Sequence, residues 1–440
     1  MPFLKSTRAV VVDPPALRPQ RYFNVVSNAP LASCLLPGYA CSRLKKQGLD
    51  AGYFDASGER DLDAFENRLL EMKPEEIYVN LLFQWENTGK ILESLRKIRA
   101  SSRARLFLFG YYPTFFKDEL LREFPFVDSI IEGDPLGEGS TAGPFPRIKK
   151  GECAPMLGSK GCWGNCTFCY AGRFFDGYKG RDARGIVDEM EQRVAEGFKK
   201  VYFVDPCFFP PGKQAGIYAA GLAKEIMKRG RRIPFGLECR ADSVSPDAID
   251  PLAEAGLTEV FLGVESGAQS ALDRFHKRTT VDQNERAIAL IQDRRIKLST
   301  GFIMFDPEVT LAELGENLKF LRRNGLVRCA TNAAQLLSHK VFLYAGTPMY
   351  KRYVQKLNLN GRSPYFIDYP FHDKKIQRIY STMEVEAQRV FDKFRGMDID
   401  GPVEGSHEKA EELHELFDCL LNEKSPGFEK RTGPQGNPAH

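Results

Sequence analysis

Short apolar runs rich in β-formers alternate with amphipathic stretches over most of the 440-residue chain. Residues 183–199 (ARGIVDEMEQRVAEGFK) repeat apolar positions at helical spacing, and VYFVD at 201–205 reads as a strand before a Pro/Gly loop at 206–213. The same reading predicts a helix near 214–229 and a strand near 234–238. A helix near 246–255 ends at Gly256, before the strand EVFLGVE at 259–265. Further on come a helix near 281–293, a strand at 297–305, a helix near 310–323 and a strand near 333–343. Repeated βα alternation predicts a parallel sheet with helices outside it.

Residues 7–135 carry a second α/β pattern. TRAVVVDPP, AGYFDA, EEIYVNLL, RARLFLFG and VDSIIEGDP are five strand signals. Helices near 32–48, 60–72 and 88–100 separate the first four. This predicts a doubly wound, Rossmann-like domain, which binds ligands at the C-terminal ends of its strands. Past the second pattern, 376–395 and 408–421 read as helices. From Glu423 the chain is polar and rich in Pro and Gly, which predicts disorder. The expected division is 1–145, 146–355 and 356–440, the last a small helical cap with a disordered tail.

Composition narrows the function classes. Lys plus Arg is 62 and Asp plus Glu is 58, a balance that does not predict a nucleic-acid partner. No apolar run approaches the ~18–20 residues that cross a bilayer. The N-terminus lacks the apolar stretch and small-residue site of a secretory signal, so a cytoplasmic protein is expected. No histidine precedes His276, which removes histidine ligands and bases from the first half of the chain. Of the later ones, His339 reads as a core or rim residue and His372 as a surface residue, with a base as its alternative.

The candidate chemistry sits in the cysteines. Ten are present, and GSKGCWGNCTFCY sets Cys162, Cys166 and Cys169 at the spacing C-x3-C-x2-C. Zinc ribbons pair two C-x2-C knuckles, and no second knuckle follows. Three thiolates without a nearby fourth ligand suit a cubane iron–sulfur cluster with one open iron. A zinc site completed by a distant Cys or His is the alternative.

C-x3-C-x-aromatic-C, with Phe168 in the aromatic place, resembles the cluster motif of the radical S-adenosylmethionine (SAM) superfamily. The resemblance implies a [4Fe–4S] cluster whose open iron takes the amino and carboxylate groups of SAM. Reduction would split SAM into methionine and a 5′-deoxyadenosyl radical. It also implies a partial (β/α)6 TIM-like barrel with its site at the C-terminal strand ends. An electron donor such as flavodoxin or ferredoxin and a small-molecule or peptide substrate are implied as well.

Several strand-end segments resemble those of superfamily members that carry a cobalamin-binding-type domain. Asp205 stands where members contact the SAM amino group, a loop aspartate in a turn being the other reading, and Cys207 would face the same mouth. A thiol there suits hydrogen-atom donation or stabilising an intermediate, an inert buried thiol being the other reading. Glu238 and Arg240 belong to the ECRAD segment, and Arg240 is suited to the SAM carboxylate or to an Arg–Asp pair at the rim. Glu265 and Ser266 lie in G-x-E-S-G and suit the ribose or amino group. Lys277 and Thr280 follow in K-x-T-T, Thr280 as a helix cap. Gly301 would admit the adenine. Ala345 to Tyr350 resembles the turn P-G-T-P-L-Y.

The order and spacing of residues 7–135 resemble the cobalamin-binding domain of that subgroup, in which cobalamin carries a methyl group to a substrate radical. Its histidine motif cannot exist without a histidine, but many members of that subgroup also lack it, so its absence does not decide the matter. Against cobalamin, Tyr111 replaces the second glycine of the subgroup's Gly-Gly-Pro-His-Ala-Thr. Asn80-Leu81-Leu82 likewise replaces a small Ser-containing segment. The function expected is a radical SAM enzyme, either a cobalamin-dependent methyltransferase acting on an unactivated carbon or a corrinoid-free enzyme of cyclisation, coupling, rearrangement or oxidation. A non-catalytic metal-binding protein is the reading from another class.

Overall fold

The computed structural model describes residues 8–15, 35–56, 59, 61–81, 88–135, 153–344, 346–356, 366–367, 369–393 and 406–422. Five strands form the first sheet: β1 (Arg8–Asp13), β2 (Asp50–Asp55), β3 (Glu76–Asn80), β4 (Arg105–Phe109) and β5 (Ser129–Ile131). Their order is β2-β1-β3-β4-β5, and every pair is parallel. This is the doubly wound order that places its switch point between the first and third strands.

Period-two alternation explains why the strands are apolar throughout. Val10, Val12, Ile77 and Val79 enter one core, with Ile91, Leu92 and Leu95 of the helix Thr88–Ser101. Ala9, Val11, Tyr78 and Phe109 enter the other, with Leu35 and Leu36 of the helix Leu35–Lys46. A parallel sheet covered on both faces leaves no polar side to alternate with. Two short helices, Tyr111–Phe115 and Lys117–Glu123, follow β4 in a stretch the pattern did not predict as helical.

The second sheet contains β6 (Cys153–Met156), β9 (Lys200–Phe203), β10 (Phe235–Arg240), β11 (Leu257–Glu265) and β12 (Lys297–Phe302). A two-residue antiparallel pair, β7 (Ser159–Lys160) and β8 (Lys179–Gly180), lies between β6 and β9 in the chain. The order is β12-β11-β10-β9-β6, with parallel pairing from β6 to β11. Among the described residues the sheet has five strands and does not close. Helices begin where the sequence offers caps. Asp182 accepts the Gly185 N–H at 2.8 Å, Ser245 precedes Pro246 at the first helical position, and Thr280 forms a capping box with Gln283.

The strand expected near 333–343 is corrected. Residues Ala330–Ser338 are a helix, and extended structure is limited to β13 (Leu343–Tyr344), paired antiparallel with β14 (Phe366–Ile367). Ala333, Ala334, Leu336 and Leu337 are strong helix formers on one buried side, and from Ala333 on the first β-branched residue is Val341. The other expected strands and helices lie within a few residues of their predicted spans. The expected disordered tail lies outside the described residues, as does Ala345.

The chain divides into two compact units. The first comprises Met1–Glu265, Leu272–Gly301 and Phe342–Asp368, and so includes the first sheet and nearly all of the second. The second comprises Ser266–Ala271, Phe302–Val341 and Tyr369–His440. In it the rings of Tyr380, Phe371 and Phe417 lie 5.3, 5.8 and 6.0 Å from that of Phe305. No described helix is long and apolar enough to cross a membrane.

Candidate active site

The cysteine loop follows β7 and is tied down by distant parts of the first unit. Thr167 N–H donates to the Phe275 carbonyl at 2.9 Å, and its hydroxyl to the Arg274 carbonyl at 3.3 Å. Met349 N–H donates to the Thr167 carbonyl at 2.9 Å. Phe168 meets Phe275 edge-on at 5.6 Å, so the aromatic before the last cysteine anchors the loop. Trp163 Nε1 donates to the Phe209 carbonyl at 3.1 Å.

The three thiols have different surroundings. Cys162 Sγ accepts the Gly164 N–H at 3.2 Å. A hydrogen bond from Cys207, helped by Gly164 and by the charges of Arg240 and Lys277, brings the Cys162 thiol down to about 6 despite burial. Cys166 is buried, and Arg240 Nη1 lies 3.4 Å from its sulfur. Burial pushes Cys169 up to about 12, with Cys166 and Cys162 adding to the shift. Among the described residues no three His, Cys, Asp or Glu groups close around a point as they would around a single metal ion. A cubane asks for a wider spread, since each thiolate binds a different iron. Three thiols, two of them under the charges of Arg240 and Lys277, are a donor set suited to such an anionic cluster.

The end of β10 brings one cation, Arg240, and the segment after the helix Gln269–Arg274 brings the other, Lys277. Arg240 grips Asp242 with Nε at 2.9 Å and Nη2 at 2.8 Å, and lies over the Trp163 ring at 4.4 Å. Lys277 is buried and donates to Glu265 Oε1 at 2.8 Å. Glu265 holds φ of 66°, a left-handed conformation that non-glycine residues rarely adopt. Gly263 leaves room for this pair, because a Cβ there would lie 2.9 Å from both charged atoms. Gly301 faces Phe261, whose Cζ would lie 3.2 Å from an added Cβ.

The remaining residues singled out from the sequence divide by placement. Asp205 is fully buried, with its carboxylate on the N–H groups of Gly158 (3.0 Å) and Ser159. Burial outweighs those bonds and raises it to about 6. Both its oxygens serve the turn after β6. Cys207 is buried, and its thiol donates to the Phe209 carbonyl at 3.3 Å. Its interaction with Cys162 is the largest cause that raises the Cys207 thiol well above its ordinary range, with burial second. Glu238 is half-buried, and desolvation, with the Asp205 carboxylate second, raises it to about 8.

Ser266 belongs to the second unit, where its hydroxyl donates to Asn317 Oδ1 at 2.8 Å and accepts Ala268 N–H at 3.1 Å. In the same unit His339 Nδ1 contacts the Phe302 carbonyl, and His372 is exposed. Sequence reasoning passed over Trp163 and Gly164, which lie inside the first cysteine interval and shape the Arg240 contact. It also passed over Asn317.

Tyr111 follows Gly110 at the C-terminal end of β4. Its ring lies 4.2 Å from Tyr170 and 4.3 Å from Phe174, centroid to centroid. Tyr170 is the residue after Cys169. An aromatic cluster therefore joins the end of the first sheet to the cysteine loop. Gly110 has φ of 111°, and a Cβ there would sit 2.7 Å from the Leu81 carbonyl oxygen, so β3 and β4 end tightly packed.

Residues 156–321 match the sequence profile of the radical SAM superfamily. The chain is 32% identical over 172 residues to an anaerobic magnesium-protoporphyrin IX monomethyl ester cyclase of Rubrivivax gelatinosus, covering 37% of this chain and 29% of that protein. It is 32% identical over 187 residues to 4'-phospho-dehydrooxetanocin synthase of Priestia megaterium, covering 38% and 25%. The chain thus spans less than a third of either relative. Among solved structures, it resembles the cobalamin-dependent SAM radical enzyme OxsB with aqua-cobalamin and SAM bound. That match has a TM-score of 0.67 and 16% identity, over 95% of this chain and 79% of that one. It also resembles the radical SAM methyltransferase TsrM from Kitasatospora setae with cobalamin and [4Fe–4S] cluster bound. That match has a TM-score of 0.64 and 16% identity, over 88% and 85%. Cysteine motif and profile match together identify residues 156–321 as a radical SAM domain, a domain class whose cofactors are S-adenosylmethionine and a [4Fe–4S] cluster.

Proposed function

We propose that the enzyme holds its cluster on Cys162, Cys166 and Cys169 and acts on an unactivated carbon of a small-molecule or peptide substrate without a corrinoid. Bound there, cluster and SAM would supply one-electron reductive cleavage to methionine and a 5′-deoxyadenosyl radical, with the electron coming from an external donor such as flavodoxin or ferredoxin. The observation that carries the cluster assignment is the convergence of Arg240 and Lys277 on the three-cysteine loop, since buried cations favour thiolate over thiol. Glu265 is the strand-end carboxylate assigned to SAM, with its orientation fixed by Lys277. Gly263 and Gly301 keep the adjoining face clear. Phe168 supports the loop from behind. The division into 1–145, 146–355 and 356–440 belongs to the same reading.

The corrinoid-free part rests on Tyr111. The subgroup's glycine path is filled by a ring packed on Tyr170 and Phe174. That ring stands where the path for the cofactor's nucleotide tail is expected. A second reading, cobalamin-dependent methyl transfer, has one observation in its favour. The chain matches cobalamin-bound OxsB and TsrM over most of its length.

The cluster assignment is tested by anaerobic reconstitution of wild type and Cys166→Ala with iron and sulfide, followed by SAM and reductant. Wild type should form 5′-deoxyadenosine and methionine, and Cys166→Ala should lose both the cluster absorption and SAM cleavage. Reductive cleavage by the variant at the wild-type rate would sink the assignment.

A further inference from the structure

Arg240 is almost wholly buried, and three of its faces are occupied. Nε and Nη2 fork onto Asp242 at 2.9 and 2.8 Å. Nη2 also donates to the Lys277 carbonyl at 2.5 Å. The guanidinium carbon lies 4.4 Å from the Trp163 ring centroid. The remaining nitrogen, Nη1, lies 3.4 Å from Cys166 Sγ. Gly164 makes this approach possible, because a Cβ at that position would run into Nη1. A fork already spent on Asp242 is not offered to a second carboxylate.

We propose that Arg240 is a positioning residue that donates an N–H to the Cys166 sulfur and thereby raises the reduction potential of the cluster. The proposal rests on the cluster assignment above and deepens it. Adding one electron makes the cluster more negative. A cation and a hydrogen-bond donor at a ligand sulfur stabilise that reduced state over the oxidised one. Low solvent exposure strengthens the effect. Asp242 opposes it, since its carboxylate offsets much of the guanidinium charge while holding the fork in place. The pair therefore sets which class of one-electron donor suffices, a flavodoxin-like protein or a stronger chemical reductant.

The experiment is an EPR-monitored redox titration of the reconstituted full chain, without SAM, on wild type, Arg240→Gln, Arg240→Lys and Asp242→Asn. Arg240→Gln should move the midpoint to lower potential. Arg240→Lys, which keeps the charge without the planar fork, should fall between it and wild type. Asp242→Asn should move the midpoint the other way. SAM added to the reduced protein should still change the EPR spectrum in all four. SAM cleavage by Arg240→Gln should drop with flavodoxin and recover with titanium(III) citrate.

A full cluster with an unchanged midpoint in Arg240→Gln overturns the proposal. An unchanged midpoint with loss of the SAM-induced spectral change also overturns it, and gives Arg240 to the SAM carboxylate instead. Should Arg240→Gln take up no iron, Asp242→Asn decides alone, with no upward shift counting against the proposal. Failure of the wild-type protein to take up a cluster would strike the cluster assignment itself, which is a separate outcome.

Discussion

Asp13 ends β1 inside the protein, at the switch point of the first sheet, where Asn80 Nδ2 donates to its Oδ1 at 3.3 Å. Desolvation outweighs that bond and, with the Asp55 charge, raises the carboxyl to about 8. The folded form therefore keeps a proton that the unfolded chain releases near 3.8. Its stabilising contribution is full below that value and is lost as pH rises through about 8. Asp13→Asn keeps the shape and the acceptor oxygen. Its apparent melting temperature should exceed that of wild type at pH 8.5, and the gap should narrow toward pH 5; a gap independent of pH would refute the assignment. At this scale legibility follows sequence distance. Cys162, Cys166 and Cys169 declare themselves because their spacing is local. The Cys166–Arg240 contact spans 74 positions, and no local pattern encodes it.

Elements were legible where period and cap agree. Thr280 is an N-cap whose side chain accepts Gln283 N–H at 3.1 Å, while Gln283 Oε1 accepts Thr280 N–H at 2.8 Å. Thr280→Ala should cost about 1 kcal/mol of stability, read by chemical denaturation, and should leave the iron–sulfur absorption of the reconstituted protein unchanged. A loss of cluster in that variant would give Thr280 a part in the site. The helix Ala330–Ser338 does carry helical spacing at Ala330, Ala333, Ala334 and Leu337, but it is short, and the expected βα alternation and the apolar residues Val341–Leu343 that follow favoured a strand. The short helix Tyr111–Phe115 was invisible for a related reason, as its Pro113 reads as a breaker although it sits in the first turn, where no backbone donor is lost.

For the whole molecule, alternation alone announced two α/β sheets, and their observed strand orders agree with that class. What alternation could not reveal is how the first sheet is used. Tyr111 stands out in the sequence only as a departure from a glycine, Tyr170 and Phe174 carry no signal of their own, and only the fold makes the three neighbours. The corrinoid question belongs to this scale. Wild type reconstituted with hydroxocobalamin and desalted should retain no corrinoid absorbance, and SAM cleavage should proceed without the additive. Retained corrinoid, lost on Tyr111→Trp but not on the distant Thr280→Ala, would support the methyltransferase reading instead.

The hydrogen bonds that pin Thr167 to Arg274, Phe275 and Met349 also carry a consequence for biosynthesis. A ribosome delivers the three cysteines long before it delivers those partners. At about 5–20 residues per second, the interval is on the order of ten seconds or more. Throughout it the thiols belong to a nascent chain that has no means of holding them in register. If the three cysteines hold the cluster as proposed, loading waits on synthesis of the segment from Arg274 to Met349, and until then their thiols lack the contacts that set the loop.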